Sequence, residues 1–326
     1  MHAEVCPGPA AVCCAGDMQA VKLSRELTRQ GFSHTEIARL CRSGELSRIR
    51  SGAYLAGPDL PADDRDRHRC LIEATVRLSA PESVLSHASA AVLLGLPIWS
   101  DTLDRVHLTR DRANGARTKS FVQVHSGSLH AEDVTEVAGL PVTSLARTVV
   151  DLGRALPLMR SVAVADAALG RGLSAEALQR TLARAATRKG VGAARRMSTC
   201  CDGRSESVGE STSRIVLAQA GVPPSSLQYE VRDEAGHLVG RTDFCWEAYR
   251  TLGEFDGRIK YGRLLRPGQD TSDVVYAEKL REDRLRDLGW QVVRWTWDDL
   301  ARPHALGERL RRAFARGTVG QPPAVA

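Results

Sequence analysis

The stretch Thr251-Leu252-Gly253-Glu254-Phe255-Asp256-Gly257 decides how the C-terminal part of this chain is read. Residues 251–256 predict a strand, and Gly257 ends it. Side chains alternate along a strand, so Glu254 and Asp256 share one face and Phe255 takes the other. Just upstream, 227–233 and 238–246 predict two more strands around the turn Glu234-Ala235-Gly236-His237, with Asp243 on the second. Residues 207–220 predict a helix carrying Glu210 and Arg214 at i and i+4. Downstream come a charged helix over 277–288, the stop Gly289 and a strand over 290–297.

This order brings Asp243, Glu254, Asp256 and Glu210 into one neighbourhood. Unpaired like charges within a sheet are costly, so four carboxylates there need a counter-charge. Oxygen-only ligands favour Mg²⁺ or Mn²⁺, which lowers the pKa of a bound water and stabilises a phosphorane-like transition state. Lys260, Lys279 and Arg284 are the nearby cations expected to hold phosphate or position water. A charged scaffold without turnover is the competing reading.

Outward from this block the composition changes. Ten of the fifteen aromatics lie between Tyr229 and Trp297, whereas 62–226 holds only Trp99 and Phe121 and is rich in Ala, Leu, Val, Arg and Ser. Such a step implies a change of core, with a polar boundary over 197–206. In the middle, helices are expected over 63–78, 85–94, 141–156, 158–169 and 174–186, and strands over 105–109 and 121–125. Ser86, His87, His107, His125, His130, Asp151 and Asp166 are hydrolase residue types. No G-x-S-x-G elbow or metal-ligand spacing joins them, so they read as structural. The eight cysteines form no C-x-x-C and read as reduced thiols without metal.

Near the N-terminus, a helix is expected from Gln19 to Gly31 with Val21, Leu23 and Leu27 on one stripe. Ser33 and Glu36 form a capping box for a second helix that buries Ile37, Leu40 and Cys41. Residues 46–55 alternate around Ser51-Gly52 as a hairpin would. Helix, turn, helix and basic hairpin form the layout of a winged helix-turn-helix. Residues 18–58 hold seven basic and three acidic side chains, an excess suited to phosphates. Arg39 and Arg42 on the second helix, with Arg48 and Arg50 on the wing, are the expected DNA-binding residues. A protein-contact module of the same shape is the alternative.

Two resemblances add to this reading. Gly240-Arg241-Thr242-Asp243-Phe244, the block from Leu252 to Tyr261, Glu278-Lys279-Leu280-Arg281-Glu282-Asp283-Arg284 and Gly289-Trp290-Gln291-Val292-Val293-Arg294-Trp295 resemble the DUF559 group of very-short-patch-repair-like endonucleases, within the PD-(D/E)XK superfamily. The likeness covers roughly residues 205–300. It implies that Asp243 and Glu254 are the two metal-binding acids and that Glu210 is the first-helix acid. Asp256 stands where the signature has Lys, leaving Lys260 or Lys279 as the displaced base. The region from Gly31 to Gly57, Ser86-His87-Ala88-Ser89-Ala90-Ala91 and Gly139-Leu140-Pro141-Val142-Thr143-Ser144-Leu145-Ala146-Arg147-Thr148-Val149-Val150-Asp151-Leu152 resemble AbiEi-type antitoxins of type IV toxin–antitoxin systems. That resemblance implies a DNA-binding, autorepressing protein and supplies no catalytic residue.

The whole chain has 326 residues and a net charge of +6, with a pI near 9.0 and a mean hydropathy of −0.24. Its composition excludes wholesale disorder and a collagen-like repeat, and no apolar run is long enough to span a bilayer. The opening residues lack the basic-then-apolar pattern of a signal peptide, so a cytoplasmic location is expected. The expected fold is a multidomain α+β and α/β chain. It comprises a winged helix-turn-helix over 18–60, a mainly helical α+β middle with a small sheet over 62–198, and a restriction-endonuclease-like α/β domain over 205–316. Two functions follow. One is a Mg²⁺-dependent deoxyribonuclease guided by its own DNA-binding module, in phage defence or DNA repair. The other is an antitoxin-like transcriptional regulator with an inert nuclease-like domain. DNA is the expected partner, a homodimer and a cognate toxin fit the second function, and a membrane fits neither.

Overall fold

The computed structural model describes residues 21–79, 82–112, 115–257 and 271–319. The chain is mixed α/β and forms two compact units. Unit 1 comprises residues up to 164 and 171–199; unit 2 comprises 165–170 and the residues from 200 onward.

Unit 1 begins with β1 (Lys22–Leu23), α1 (Ser24–Arg29), α2 (His34–Ser43), β2 (Leu46–Arg50) and β3 (Ala53–Ala56). The helix expected from Gln19 starts only at Ser24. Lys22 and Leu23 instead pair antiparallel with Tyr54 and Ala53, closing a three-stranded sheet in the order β1-β3-β2. The reason is local: Glu26 accepts the Leu23 N–H at 2.9 Å, and Leu23 stays extended ahead of the helix. The α2 capping box forms as expected, Glu36 N–H donating to Ser33 Oγ and Ser33 N–H to Glu36. Gly44 ends the helix at φ +81°, a conformation glycine adopts at no steric cost. Leu27, Ile37, Leu46 and Tyr54 pack beneath the two helices, and Val21, Leu23, Ala53 and Leu55 meet Cys70 and Ala74 of α3 (Asp64–Val76).

The rest of unit 1 surrounds a six-stranded mixed sheet, larger than the small sheet expected. Its strands are β4 (Val84–Leu85), β5 (Val106–Arg110), β6 (Arg117–Lys119), β7 (Val122–Ser126), β8 (Val134–Val137) and β9 (Leu140–Thr143), in the order β6-β7-β5-β4-β9-β8. Residues 141–143, expected as helix, are strand: Val142 pairs with Leu85 and Thr135, and the helix waits for the Ser144 cap. Helices α4 (His87–Leu93), α5 (Leu145–Ala155), α6 (Leu158–Leu169), α7 (Ala175–Arg184) and α8 (Val191–Cys200) follow in chain order, with α6 assigned to unit 1 up to Val164 and to unit 2 from Ala165.

Unit 2 runs α9 (Val208–Gln219), β10 (Ser226–Arg232), β11 (Leu238–Trp246), β12 (Thr251–Phe255), α10 (Thr271–Asp287), β13 (Gln291–Trp295), α11 (Trp297–Leu300) and α12 (Pro303–Val319). The sheet order is β10-β11-β12-β13, with the last pair parallel. Strand alternation divides its two faces. Phe244, Trp246, Phe255 and Trp295 pack with Val216 and Leu217 of α9 and Leu306 and Leu310 of α12. Cys245, Leu252 and Leu285 of α10 pack on the other face. Gly253 is glycine because a Cβ there would lie 2.6 Å from the Trp295 ring and 2.9 Å from that of Trp246. Trp295 Nε1 donates to Ser213 Oγ at 2.8 Å, which satisfies the buried indole. No helix among the described residues is long and apolar enough to cross a membrane.

Candidate functional site

The unit 2 sheet brings part of the acidic set together. Phe244 pairs with Gly253, so one further step in register sets Asp243 opposite Glu254, and both face α10. Asp243 Oδ2 accepts the Phe255 N–H at 2.8 Å, and Asp256 N–H donates to the Trp295 carbonyl at 2.8 Å. Glu210 lies elsewhere. It sits in the first turn of α9, which packs on the Phe244 face, and it is buried. Its carboxylate accepts from Ser207 Oγ, the Glu206 N–H and Gln228 Nε2 at 2.7–2.9 Å, the work of a helix cap.

Glu254 is held by arginine. Its side chain is 14% exposed; one oxygen lies 2.5 Å from Arg281 Nη2 and the other 3.0 Å from Arg294 Nε. Arg281 also reaches Glu278 at 2.7 Å, and Arg294 reaches Glu278 and, at 3.2 Å, Glu282. With Arg286, which holds Glu282 at 2.5 Å, the result is a network of three acids and three arginines between α10, β12 and β13. Hydrogen bonding from Arg281 draws the Glu278 carboxyl below its usual range. Glu278 and Glu254 in turn push the Arg281 guanidinium upward against the burial that opposes it. For Arg294, burial likewise opposes charge, and Glu254, Glu278 and Glu282 outweigh it.

This donor set does not fit a divalent cation. Mg²⁺ needs several oxygens aimed at one point about 2.1 Å away. Among the described residues, no three acids bring carboxylate oxygens within 4.8 Å of one another. Both Glu254 oxygens already face guanidinium, and Glu210 belongs to the other face of the sheet. Lys279 is exposed on α10, and Lys260 lies outside the described residues.

The four arginines expected to bind DNA divide three to one. Arg39 and Arg42 on α2 and Arg48 on β2 are exposed and make no ion pair among the described residues. Arg50 turns inward. The β2–β3 register slips between Arg48 and Arg50, and Arg50 Nη1 donates to Thr75 Oγ1 of α3 at 2.6 Å. Such a bulge re-aims the side chain that follows it, so Arg50 does not continue the Arg48 row. Burial lowers the pKa of its guanidinium.

A third cluster, read from sequence as structural, is assembled in unit 1. His87, His107 and His125 converge, with ring nitrogens of His107 and His125 3.0 Å apart and the His87 and His125 rings stacked at 3.7 Å. Arg147, on the first turn of α5, binds Asp151 at 2.7 Å and Asp133 at 3.1 Å; all three are buried. Asp166 and His130, read alongside them, are elsewhere: Asp166 of unit 2 pairs with Arg214 at 2.6 Å, and His130 is exposed. The sequence signal for this cluster was the set of residue types alone, because its members are spread over some sixty residues without a shared motif.

No family model matches the chain. It is similar to two uncharacterized proteins of Mycobacterium tuberculosis, Rv2248 of strain H37Rv and MT2308 of strain CDC 1551 / Oshkosh. To each it is 32% identical over 182 residues, 55% of this chain. The match spans 64% of those relatives' own length. Among solved structures, the crystal structure of the RV2827C protein from Mycobacterium tuberculosis aligns at 20% identity with a TM-score of 0.38, covering 56% of this chain and 71% of that one.

Proposed function

We propose that this protein is a DNA-binding regulator of the AbiEi antitoxin type. In this reading residues 21–60 act as a winged helix-turn-helix, and unit 2 keeps a restriction-endonuclease-like fold without cleaving DNA. The observation that carries it is the contrast in how arginines are used. Arg39, Arg42 and Arg48 stand exposed on α2 and β2 and make no ion pair among the described residues. Arg281 and Arg294 neutralise the acid a nuclease would need free. On this reading α2 enters a major groove, Arg39 and Arg42 contact it or its flanking phosphates, and the β2–β3 hairpin with Arg48 follows the backbone.

The test is fluorescence anisotropy of full-length protein with duplex DNA across a salt series. Binding should weaken steeply with salt, and Arg39→Ala/Arg42→Ala/Arg48→Ala should lower the log–log slope by about 3. Binding without salt dependence, or a triple variant that binds as wild type does, defeats the proposal. A cognate toxin and a homodimer belong to the same reading.

A second reading, a Mg²⁺- or Mn²⁺-dependent deoxyribonuclease, is favoured by one observation: Asp243 and Glu254 face each other on adjacent strands. It requires Arg281 and Arg294 to leave Glu254 when metal and DNA arrive. Metal-dependent nicking that disappears in both Asp243→Ala and Glu254→Ala would establish it.

A further inference from the structure

Two histidines of the unit 1 cluster, His87 and His125, line a cavity of about 350 Å³, within the size range of small-molecule sites. Thr109, His125 and Ser126 come from the C-terminal ends of the parallel strands β5 and β7. In open α/β sheets, that is the end of the strands where ligands collect. His87 supplies the floor. It is buried and held at φ +50°, a left-handed conformation that costs energy for a residue with a Cβ. Strain of this kind persists where the surroundings over-determine a side chain, as at binding sites.

The charge on the cavity is unbalanced. Arg147, Arg154, Arg188 and Lys189 line it against the single carboxylate of Asp151. Asp151 is taken by Arg147 and Arg154 at 2.7 and 2.9 Å. Arg188 is half-buried and its hydrogen bonds go to neutral groups, the Ser128 carbonyl and Oγ at 2.8 and 2.9 Å. Burial, and then the charges of Arg147 and Arg154, lower its pKa against the opposing pull of Asp151 and Asp133. Neither Arg188 nor Lys189 makes an ion pair among the described residues. Burial likewise holds His87, His107 and His125 on the neutral side, with neighbouring histidines and arginines adding to it for His87.

A metal ion is the other candidate for three histidines, and two features oppose it. The His87 and His125 rings lie face to face, 14° from parallel, so their in-plane lone pairs run side by side rather than toward one point. The cations lining the cavity also repel a metal. An anion answers both features: it supplies the missing negative charge, and neutral imidazoles can donate to it. We infer that this cavity binds a small phosphate ester, its phosphate held by Arg188, Lys189 and Arg154 and its remainder seated against His87 and His125. A sulfate- or carboxylate-sized anion would leave most of the cavity unfilled. A duplex backbone, by contrast, tracks an extended stripe of cations, whereas these cations converge on one half-open cavity. The inference does not rest on the DNA-binding reading of residues 21–60.

The test is isothermal titration calorimetry of full-length protein with inorganic phosphate and with AMP, at constant ionic strength. AMP should bind with a Kd at or below about 1 mM and phosphate more weakly. Arg188→Gln and Lys189→Gln should each weaken AMP roughly tenfold, the loss of one charge-assisted contact, with melting temperatures of the free variants unchanged. Competition with a blunt duplex separates the sources of phosphate: AMP binding that persists under saturating duplex identifies a free ligand. Displacement of AMP by duplex in wild type and not in the Arg188→Gln variant would move the site to nucleic acid and overturn the small-ligand assignment. No heat with either probe, or AMP binding indifferent to both substitutions, overturns it as well. So does Zn²⁺ taken up one-to-one and lost in His125→Gln while phosphate and AMP stay silent.

Discussion

The two units each hold a polar cluster rich in arginine, and they differ in balance. In unit 2, Arg281, Arg294 and Arg286 are matched by Glu254, Glu278 and Glu282. In unit 1, Arg188 and Lys189 face a cavity whose one carboxylate is already engaged. A balanced network satisfies itself and acts as a scaffold. An unbalanced one keeps an unpaid electrostatic cost that a ligand of opposite charge relieves. Glu254 is therefore neutralised by its own neighbours, whereas the unit 1 cavity keeps cationic side chains to offer an anion.

The largest effect should come from breaking the balanced side. Glu254→Ala leaves two half-buried guanidiniums short of a partner and should cost about 2–4 kcal/mol, read as a drop in the unit 2 thermal midpoint. Loss below about 0.5 kcal/mol would mean that the pairs are ordinary surface salt bridges. Close behind is Gly253→Ala, where the new methyl meets the Trp295 and Trp246 rings; overpacking predicts about 1–3 kcal/mol. A stability equal to wild type would show that the β12 backbone can yield.

Acid should separate the units next. Burial holds His68 at a pKa of about 4 and, with help from neighbouring histidines, His107 at about 2, and lowers His87 and His125. The fold therefore keeps these rings neutral, whereas the unfolded chain takes up protons near pH 6.5. Their contribution is fully present above that pH and is lost as pH falls from about 6.5 toward 4, at up to about 1.4 kcal/mol per pH unit for His68 alone. Hydrogen exchange at pH 7.5 and 5.5, corrected for intrinsic rates, should show loss of protection in α3 and β5. Equal protection at the two values counts against neutral buried histidines. The smallest effect belongs to the unbalanced side: Arg188→Gln should leave the free protein within about 0.5 kcal/mol of wild type. A loss comparable to that of Glu254→Ala would erase the distinction between the clusters.

How far the sequence revealed these features depended on the range of the interactions. The α2 capping box and the β10–β11–β12 order rest on neighbours within a few residues, and both were legible. Strand β1 was not, because Val21 and Leu23 fit a helical stripe as well as a strand and are claimed by residues some thirty positions later. Of the six-stranded sheet, β5 and β7 were legible, whereas β4, β6, β8 and β9 run for only two to four residues, too short for alternation to register. Asp243 and Glu254 were legible as facing acids. Their neutralisation was not, since it depends on how far Arg281 and Arg294 reach across a face, and Glu210 was assigned to the wrong side of the sheet. The unit 1 cavity joins His87 to Lys189 and has no local signature at all.

The central claim, a protein that holds DNA and leaves it intact, is tested most directly by one gel. Full-length protein is titrated onto supercoiled plasmid at low salt with Mg²⁺ or Mn²⁺, and each sample is run both native and after deproteinisation. The account predicts a native-gel shift that added salt abolishes, with only supercoiled plasmid after deproteinisation. Nicked or linear product that is absent with Asp243→Ala and Glu254→Ala would contradict it.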